Sequence, residues 1–402
     1  MNNAYIVDAI RTPIGNFGGS LSHTRADDLA ALVIAALLQK HPTLDPSLIE
    51  DVIFGCANQA GEDNRNVARM ALLLAGMPFT VPGETVNRLC ASGLAAAINA
   101  ARNIETGNGD LFIVGGVENM TRGPYVISKA SEAFGRDSKM FDSSFGWRFI
   151  NQKLHQMYGT DTMGETAENL AEIHKISRED QDKFSLWSQQ KATKSNQNGR
   201  LAKEIIPVSL PQKKGDPILF SSDEFIKPNS SLEILSKLKP AFRKENGTVT
   251  AGNSSGLNDG AVAILLASEN GLKNNNLKPM AKIISAAVAG VEPRIMGIGP
   301  VKATEIALKR AGLNLNQIDI IEINEAFAAQ VLACTRTLKI EDNDPRINPN
   351  GGGIALGHPL GVTGARLLQT AAIELQMSNK KYALCTMCIG VGQGYAAIIE
   401  KV

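Results

Sequence analysis

The sequence predicts an α/β fold built from two similar halves, and three features of the chain point to it. Short apolar segments typical of strands alternate with longer segments of helix formers along most of the 402 residues. Polar and charged sequence replaces this alternation between residues 121 and 247. A pattern of loop, helix and strand ending in glycines occurs twice, once after Cys90 and once after His358. The repeat indicates two related halves whose loops meet at their junction.

The first half is predicted to comprise residues 1–120 and 248–270. Its predicted strands, chosen as short apolar runs, are 4–9, 51–55 and 110–115. Its predicted helices, which carry longer stretches of helix formers, are 26–40, 66–75 and 91–106. After the polar interruption, the chain returns to apolar, strand-like sequence up to residue 267. This alternation of strands and helices is the signature of an α/β half.

The polar segment 121–247 is predicted to be an inserted loop or lid domain. It contains scattered aromatic residues, among them Trp147, and a turn rich in lysine and glycine. Long insertions of this kind often carry substrate contacts. Residues 269–279, with their Gly, Asn and Pro content, predict a linker. The second half is then expected to span 280–402, with a helix over 363–376 leading to a strand.

Composition and charge argue against several classes of function. A formal net charge of +1 argues against a nucleic-acid-binding surface spread over the whole protein. No run of about 18 apolar residues occurs, so no membrane span is expected. The first residues lack the basic and apolar segments of a signal peptide, and the five cysteines are an odd number. Reduced thiols and a cytoplasmic location are therefore expected.

Cys90 is the strongest candidate for a nucleophile. The polar pair Asn87-Arg88 leads into the cysteine, and a run of helix formers follows it. This places the sulfur at or just before the start of a helix, where free N–H groups and the helix dipole lower the pKa of a thiol. The alternative is that Cys90 is a small buried apolar residue, as intracellular cysteines often are.

Two later segments strengthen the assignment of Cys90. His358 lies in a glycine-rich turn and is followed by proline, and Cys388 lies close to the glycines that begin at Gly390. A thiol, an imidazole and a second thiol form a plausible nucleophile, base and acid set. A histidine more often satisfies a local hydrogen bond than takes part in catalysis, so a structural role for His358 stays open.

Cys385 and Cys388 also form a C-x-x-C pattern, which in other proteins marks a redox pair or half of a zinc site. No second pair of cysteine or histidine residues stands at zinc spacing. The local sequence is typical of a strand, in which residues three apart point to opposite faces. Cys385 is therefore expected to face the core and Cys388 the site, with no metal bound.

These segments, together with Asn-Glu-Ala-Phe at 324–327, resemble the thiolase family of acyl-CoA C-acyltransferases. The resemblance runs over almost the whole chain, from Ile-Arg-Thr-Pro-Ile-Gly at 10–15 to the last strand. It implies the thiolase fold, a duplicated five-layered α-β-α-β-α sandwich, here with an inserted lid or loop domain. It also implies a homo-oligomer, either a dimer or a tetramer, without a prosthetic group or metal. Coenzyme A and acyl-CoA thioesters are the implied substrates and partners.

The resemblance implies a role for each residue of the site. Cys90 is the nucleophile that becomes acylated, and His358 takes its proton and helps to form an oxyanion hole. Cys388 is the acid and base at the α-carbon of acetyl-CoA. The backbone N–H groups of Gly390 and Cys90 complete a second oxyanion hole, and such preorganised donors are often the largest catalytic contribution. Asn324 holds a water in the first oxyanion hole, although from the sequence alone it is equally a candidate helix N-cap.

A segment rich in glycine and serine, 250–260, is the candidate contact with coenzyme A. Its glycines let the backbone approach a ligand closely. A tight β-turn is the alternative interpretation. The resemblance implies that Ser255 contacts the pantetheine arm and that Lys227 lies on the adenine side. The residues implied to line the pantetheine tunnel are Met163, Ala251, Phe242 and Phe327.

The implied reaction is thiolytic cleavage of a 3-oxoacyl-CoA by coenzyme A through an acyl-cysteine, reversible as a Claisen condensation. Thr162 stands where thiolases specialised for acetoacetyl-CoA usually carry a histidine. Segments 64–71 and 145–151 are most similar to thiolases that act on 3-oxoadipyl-CoA. The expected products are therefore succinyl-CoA and acetyl-CoA, in the catabolism of aromatic compounds.

Other functions stay open at this point. Within the family, they are an acetyl-CoA C-acetyltransferase acting on acetoacetyl-CoA and a general 3-ketoacyl-CoA thiolase of fatty-acid oxidation. A ketoacyl synthase would be related in fold but would lack a cysteine at position 388. A non-catalytic, thiolase-like lipid carrier would be expected to have lost the nucleophile.

Arg148 is a candidate contact for the distal end of a 3-oxoadipyl chain. That chain ends in a carboxylate, and burying the charge without a partner is costly. The guanidinium of Arg148, which lies between Trp147 and Phe149 in the sequence, offers a bidentate partner. The alternative is a structural ion pair of Arg148 within the lid.

Overall fold

The structure, a computed structural model, describes residues 2–402. Within this range, none of the helices combines the length and the apolarity that crossing a bilayer requires. The elements up to residue 120 are β1 (Ala4–Arg11), β2 (Gly15–Asn16), α1 (Ala26–Lys40), β3 (Asp51–Gly55), α2 (Val67–Leu74), β4 (Gly83–Val86), α3 (Ser92–Glu105) and β5 (Leu111–Asn119).

The remaining elements follow in two groups. Those between residues 121 and 247 are β6 (Tyr125–Ile127), β7 (Met140–Asp142), α4 (Gln152–Tyr158), α5 (Met163–Ile173), α6 (Arg178–Gln197), β8 (Val208–Leu210), β9 (Ile218–Phe220) and α7 (Leu232–Ser236). Those after residue 247 are β10 (Asn258–Ala267), α8 (Glu269–Asn274), β11 (Ala281–Gly290), α9 (Gly299–Ala311), β12 (Ile320–Ile323), α10 (Ala328–Thr337), α11 (Gly353–Leu356), α12 (Leu360–Ser378), β13 (Tyr382–Ile389) and β14 (Gln393–Lys401).

Ten strands form one mixed sheet, in the order β12-β13-β14-β11-β1-β10-β5-β3-β4, with β2 paired to β10. Strand β3 runs parallel to β4 and β5, and β12 runs parallel to β13. The remaining pairs are antiparallel. The two halves of the sheet meet where β1 pairs with β11, from Ala4–Ile283 to Ile6–Ala281. This short seam joins a first half that ends at β4 to a second half that ends at β12.

Helices α3 and α12 form the middle layer between the two halves of the sheet. Their buried side chains share one core with residues of β1, β5 and β10 on one side and of β13 and β14 on the other. Helices α1 and α2 pack on the outer face of the first half, and α9 and α10 pack on the outer face of the second. The order of layers is helix, sheet, helix, sheet, helix, which confirms the five-layered sandwich.

Strand β10 shows why the apolar sequence of a central strand is continuous. Alternate residues of this strand face opposite layers, and every residue is buried. The side chains that face the middle core are Val262, Ile264 and Leu266. The side chains that face the outer core with α1 are Ala261, Ala263, Leu265 and Ala267. A strand covered by helices on both faces therefore has no polar side to alternate with.

Glycines allow close backbone contact where α3, α12 and β5 meet. A Cβ atom on Gly93, at the start of α3, would lie 2.5 Å from the carbonyl oxygen of Gly361, at the start of α12. A Cβ atom on Gly116 in β5 would lie 1.9 Å from the same oxygen. Interiors are close-packed, so atoms cannot overlap in this way and only glycine lets these backbones touch. The contact fixes the spacing between the starts of α3 and α12.

Buried ion pairs fix the segment 121–247 to the first half. Arg11 in β1 is fully buried, with Nε 3.0 Å from Glu204 and Nη1 2.7 Å from Asp223. Glu204 also accepts a hydrogen bond from Arg200 at 2.8 Å. Removing one partner of such a pair leaves a buried charge uncompensated, which typically costs about 3–5 kcal/mol. The polar character of this segment therefore includes charges that anchor it to the sandwich.

Most predicted elements agree with the structure, and one prediction is partly wrong. The predicted helix 26–40 coincides with α1. The helix of the second half begins at Leu360, three residues before its predicted start. The prediction of a linker over 269–279 is wrong for its first part, where α8 forms. Ser268 caps this helix, because its Oγ accepts a hydrogen bond from the N–H of Gly271 at 3.0 Å.

We predict that Gly361→Ala lowers the free energy of unfolding by about 1–3 kcal/mol, the usual cost of overpacking a core. The added Cβ would lie 2.5 Å from the carbonyl oxygen of Val117, which belongs to a strand and cannot turn away. Urea unfolding of the purified variant measures the loss. Gly290→Ala is the matched control, since its Cβ would meet nothing nearer than an oxygen at 4.0 Å. Equal losses in the two variants would contradict the close-contact explanation.

Candidate active site

Cys90 lies in a strained loop immediately before α3, which begins at Ser92. The side chain of Asn87 accepts a hydrogen bond from the N–H of Leu89 at 2.9 Å. The hydroxyl of Ser92 accepts one from the N–H of Arg88 at 2.9 Å. Leu89 has a φ of +49°, an uncommon conformation for a residue with a side chain. Such strain persists where surrounding hydrogen bonds impose it, and it is common at functional sites.

The surroundings of the Cys90 thiol keep it protonated at rest. Burial raises the pKa of Cys90 to about 11, although the backbone N–H groups of Gly390 and of Cys90 itself act to lower it. The charge of Glu118 raises the pKa further. The prediction that the helix start lowers this pKa is wrong, because desolvation outweighs the nearby N–H groups. A base is therefore needed when the thiol reacts.

His358 is held by hydrogen bonds on both sides of its ring. Its backbone N–H donates to Asn258 Oδ1 at 3.0 Å, and its Nδ1 lies 2.6 Å from Thr363 Oγ1. The Thr363 hydroxyl donates its single hydrogen to the carbonyl oxygen of Pro359 at 2.9 Å. The same hydroxyl therefore accepts a hydrogen bond from Nδ1–H. Nε2 is then the unprotonated nitrogen, and Nδ2 of Asn324 lies 3.3 Å from it.

Burial also keeps the imidazole of His358 neutral. It lowers the pKa of His358 to about 3, and the positive charge of Arg366 acts in the same direction. This pKa is lower than the near-neutral value expected for a base, because the buried ring is hydrogen-bonded to neutral groups. The thiol and the imidazole are thus both neutral at rest. A proton that passes from Cys90 to His358 creates two opposite charges that attract each other strongly in a buried site.

Asn324 is fully buried and does not cap a helix. Helix α10 begins at Ala328, and its N-cap position is Phe327, so the N-cap interpretation of Asn324 is wrong. Its backbone N–H donates to the carbonyl oxygen of Thr386 at 2.9 Å. Its side-chain Oδ1 is buried and has no hydrogen-bond partner among residues 2–402. Buried carboxamide oxygens are normally hydrogen-bonded, so this atom is available to accept a hydrogen bond from a bound molecule.

Strand β13 directs Cys385 and Cys388 to opposite faces, as predicted. Cys385 belongs to the middle core, where its Sγ lies 3.4 Å from the carbonyl oxygen of Leu367. Cys388 packs in a small apolar cluster with Met163 and Phe327. Burial raises the pKa of the Cys388 thiol well above its usual value. The opposite directions of the two side chains exclude the redox-pair and zinc interpretations of C-x-x-C.

Two cavities meet at Cys90. The first, here called the Ser255 cavity, has a volume of about 290 Å³ and is lined by Cys90, His358 and Cys388. The predicted pantetheine residues that also line it are Met163, Ala251, Phe242, Phe327 and Ser255. The second, here called the Arg148 cavity, has a volume of about 220 Å³. The residues that line both cavities are Cys90, Met120, Phe145, Met163 and Leu360.

Gly390 and Lys227 lie outside the Ser255 cavity. Gly390 lines the Arg148 cavity, and its N–H is hydrogen-bonded to Cys90. Lys227 lines neither cavity, and its Nζ lies 4.8 Å from the centroid of the Phe225 ring. Phe225 in turn packs against Gly256, which lines the Ser255 cavity. Lys227 is therefore separated from this cavity by one aromatic ring.

Segment 250–260 contains a turn and also forms part of the cavity wall. The N–H of Asn253 donates to the carbonyl oxygen of Thr250 at 3.3 Å, which confirms the tight turn. Ser255 donates from both its N–H and its Oγ to the carbonyl oxygen of Ala326, at 2.9 and 3.2 Å. These bonds hold the segment against the loop before α10. They place Ser255 in the wall of the same cavity that Cys90, His358 and Cys388 line.

Glu118, a buried residue beside Cys90, was not predicted from the sequence. Its carboxylate accepts hydrogen bonds from the N–H groups of Ala57 at 3.0 Å, Asn58 at 3.0 Å and Gly361 at 2.8 Å. Burial nevertheless raises the pKa of Glu118 to about 7. The available signal was a single carboxylate in the otherwise apolar strand β5. Glu118 joins the loop after β3 to the start of α12.

Among residues 2–402, one group of side chains has the spacing of metal ligands, namely Cys56, Asp63 and Glu118. Asp63 accepts hydrogen bonds from the N–H groups of Gln59 at 3.2 Å and Gly61 at 2.9 Å. Glu118 accepts three further hydrogen bonds from backbone N–H groups. Burial raises the pKa of the Cys56 thiol well above its usual value, which disfavours the thiolate that binds metals. Backbone N–H donors thus serve these carboxylates in place of a cation.

Comparison with known proteins identifies the family. The family model described as "Thiolase, N-terminal domain" matches residues 4–270, and the one described as "Thiolase, C-terminal domain" matches residues 277–401. The chain belongs to the thiolase family. It is therefore an acyltransferase of that family.

Individual relatives match the chain over its whole length. It is 58% identical over 402 residues to "3-oxoadipyl-CoA/3-oxo-5,6-dehydrosuberyl-CoA thiolase" of Escherichia coli (strain K12), with 100% of both chains covered. It is 57% identical to a "Beta-ketoadipyl-CoA thiolase" of Acinetobacter baylyi, again with 100% of both chains covered. The crystal structure of human mitochondrial 3-ketoacyl-CoA thiolase in complex with CoA matches with a TM-score of 0.92 at 39% identity, covering 100% of this chain and 98% of that chain.

We predict that alkylation of Cys90 by iodoacetamide accelerates steadily from about pH 7 to about pH 9. Only the thiolate reacts, and a pKa of about 11 makes the thiolate fraction rise roughly tenfold per pH unit below that value. Mass spectrometry of the Cys90 peptide measures the rate, with Cys90→Ser as the control for the other thiols. A rate that is already constant near neutral pH would instead indicate a thiolate–imidazolium pair at rest.

Proposed function

We propose that this thiolase cleaves 3-oxoadipyl-CoA with coenzyme A to give succinyl-CoA and acetyl-CoA, in the catabolism of aromatic compounds. The observation that carries the proposal is that Cys90, His358 and Cys388 line one cavity together with the predicted pantetheine residues. Full-length relatives named for 3-oxoadipyl-CoA or beta-ketoadipyl-CoA support the choice of acyl group. The reaction is reversible as a Claisen condensation.

In the first half of the proposed reaction, Sγ of Cys90 attacks the C3 keto carbon and its proton passes to Nε2 of His358. The unprotonated state of Nε2 supports this transfer, because that nitrogen can accept the proton. The C2–C3 bond then breaks, and its electron pair forms the enolate of acetyl-CoA. Cys388 donates its thiol proton to C2, which releases acetyl-CoA and leaves the succinyl group on Cys90.

In the second half, the proton on His358 first passes to the thiolate of Cys388, which restores that thiol. The thiol of coenzyme A then attacks the acyl-cysteine carbonyl, its proton passes to Nε2 of His358, and His358 delivers it to the departing thiolate of Cys90. The N–H groups of Gly390 and Cys90 stabilise one oxyanion. His358 and a water held by Asn324 stabilise the other, and the unpartnered Oδ1 of Asn324 supports this assignment. The thioester itself stabilises the carbanion, so the proposal needs no metal and no prosthetic group.

Coenzyme A is a substrate in this proposal, and the Ser255 cavity is its proposed binding site. Its walls are mostly apolar, with the rings of Phe242 and Phe327 6.2 Å apart, which suits a pantetheine arm. Ser255 offers the polar contact to the arm, and Met163 and Ala251 complete the tunnel. Lys227 is the proposed contact on the adenine side, outside the Phe225 ring.

We also propose the domain organisation and the oligomeric state that the sequence pattern and the membership of the thiolase family imply. Residues 1–120 with 248–270 form the first thiolase half, residues 121–247 the inserted lid domain and residues 280–402 the second half. The protein is a cytoplasmic homo-oligomer, a dimer or a tetramer, without a nucleic-acid or membrane partner. Cys90 and Cys388 disfavour the other classes, since a lipid carrier would lack the first and a ketoacyl synthase the second.

A panel of thiolysis rates tests the proposed substrate. We predict that kcat/KM is highest for 3-oxoadipyl-CoA and lower for acetoacetyl-CoA and for medium-chain 3-oxoacyl-CoA esters. The release of acetyl-CoA at equal substrate concentrations measures the order. A preference for acetoacetyl-CoA would overturn the proposed substrate in favour of an acetyl-CoA C-acetyltransferase, and a preference for medium chains would favour a general 3-ketoacyl-CoA thiolase.

A second prediction separates the roles of the two thiols. Cys388→Ser is expected to accept an acetyl group from acetyl-CoA on Cys90 at a near-normal rate, because acyl transfer needs only the nucleophile, His358 and an oxyanion hole. The same variant is expected to lose thiolysis by roughly a hundred- to ten-thousandfold, the usual contribution of an acid–base group. Peptide mass spectrometry measures the acetyl group. Acetylation of Cys56 or Cys334 in place of Cys90, or near-normal thiolysis, would contradict the assignment.

A further inference from the structure

Arg148 forms part of the wall of the second cavity at Cys90. Of the residues predicted to line the pantetheine tunnel, Met163 is the one that also lines this second cavity. The guanidinium of Arg148 donates two long hydrogen bonds to neutral oxygens, to the carbonyl of Ser143 at 3.3 Å and to Oδ1 of Asn58 at 3.5 Å. Among residues 2–402, Arg148 forms no ion pair with a carboxylate, so the alternative of a structural ion pair in the lid is wrong. A partly buried cation of this kind is available to an anionic ligand.

The other charge in the Arg148 cavity does not compete for this cation. Of the residues that line the cavity, Arg148 is the one cation and Glu118 the one carboxylate. Glu118 is hydrogen-bonded to three backbone N–H groups, and it lies outside ion-pair distance of Arg148. Apolar side chains occupy much of the remaining wall, namely Leu89, Met120, Phe145, Trp147, Met163, Leu360 and Val391. Such a wall strengthens the attraction of a guanidinium for an anion.

We propose that Arg148 determines acyl specificity by binding the distal carboxylate of the acyl group carried on Cys90, with Asn58 as a second donor. This inference rests on the proposed function, because it assumes that Cys90 is acylated. A succinyl group on Cys90 extends by two methylene carbons and ends in a carboxylate. The Nδ2 amide of Asn58 already points to Ser143 Oγ at 3.4 Å, close to the guanidinium contact. An amide and a guanidinium together can satisfy both oxygens of a carboxylate.

The same arrangement discriminates against apolar acyl chains of equal length. A butanoyl group in this cavity displaces water from Arg148 and offers no hydrogen bond in return. A buried polar group that loses its partners costs far more than a lost apolar contact, so sites of this type reject the apolar analogue strongly. Specificity then comes from the penalty on the wrong substrate as well as from the attraction of the right one.

The test compares two substrates that differ only at the distal end, 3-oxoadipyl-CoA and 3-oxohexanoyl-CoA. In Arg148→Gln we expect kcat/KM for 3-oxoadipyl-CoA to fall roughly ten- to a hundredfold, mainly through KM, because one charge-assisted contact is lost. Activity on 3-oxohexanoyl-CoA is expected to stay constant or rise. Arg148→Lys should recover part of the loss, since lysine keeps the charge but not the bidentate geometry. Arg136→Gln, at an exposed arginine of the same segment, is the matched control.

A second measurement makes the test independent of carbon–carbon bond cleavage. The protein is incubated separately with succinyl-CoA and with butanoyl-CoA, and mass spectrometry follows the two rates of acylation of Cys90. Arg148→Gln is expected to slow acylation by succinyl-CoA selectively. Equal losses for both esters, or no loss for succinyl-CoA, would overturn the role of Arg148 while leaving the thiolase proposal intact. Absence of thiolysis in the unmodified protein with every ester would instead overturn the proposed function.

Discussion

The contact between the backbones of α3, α12 and β5 is the constraint on which the site depends. Gly93, Gly116 and Gly361 meet there without side chains between them. Cys90 and His358 each stand three residues before one of the touching glycines, Gly93 and Gly361, so the contact sets the spacing of the two loops. Glu118 reinforces it, because its carboxylate joins β5 to the N–H of Gly361 at 2.8 Å. The position of the two proposed reacting groups is therefore a property of the middle layer of the sandwich.

Burial determines the resting state of the reacting groups. It raises the pKa of Cys90 to about 11 and lowers the pKa of His358 to about 3, so both are neutral before substrate binds. A neutral pair avoids the desolvation cost of two buried charges, and the proposed proton transfer would place two opposite charges close together, where they attract each other. Leu89 and Val391 border the site in left-handed conformations, with φ of +49° and +62°. These two residues are the chain neighbours of Cys90 and Gly390, whose N–H groups are the proposed oxyanion-hole donors, so the conformations fix those donors in the folded protein.

The sequence predicts features that depend on residues close together in the chain. Its predictions are wrong or missing where a pKa or a hydrogen-bond partner depends on residues far apart in the chain. The stretch of helix formers at 26–40 predicts α1, and strand alternation predicts the opposite directions of Cys385 and Cys388. The pKa of Cys90 depends on burial by segments from many parts of the chain, and the residues next to Cys90 in the sequence do not indicate this burial. Thr363 could be recognised as the partner of His358 only once the turn between them was known. The N-cap interpretation of Asn324 failed because α10 begins later, beyond a loop that packs on segment 250–260.

The division of the site between two structural units has a consequence for specificity. The groups proposed for the chemistry come from the sandwich, whereas Arg148 and its aromatic neighbours come from the segment 121–247. Buried ion pairs such as Arg11–Asp223 hold that segment to the first half. A substitution of Arg148 or of its aromatic neighbours can therefore change the acyl group that fits without moving Cys90 or His358, since the hydrogen-bond partners of these two residues lie outside segment 121–247. The arrangement therefore separates the groups proposed for the chemistry from those proposed for acyl recognition, and Cys90 borders both cavities.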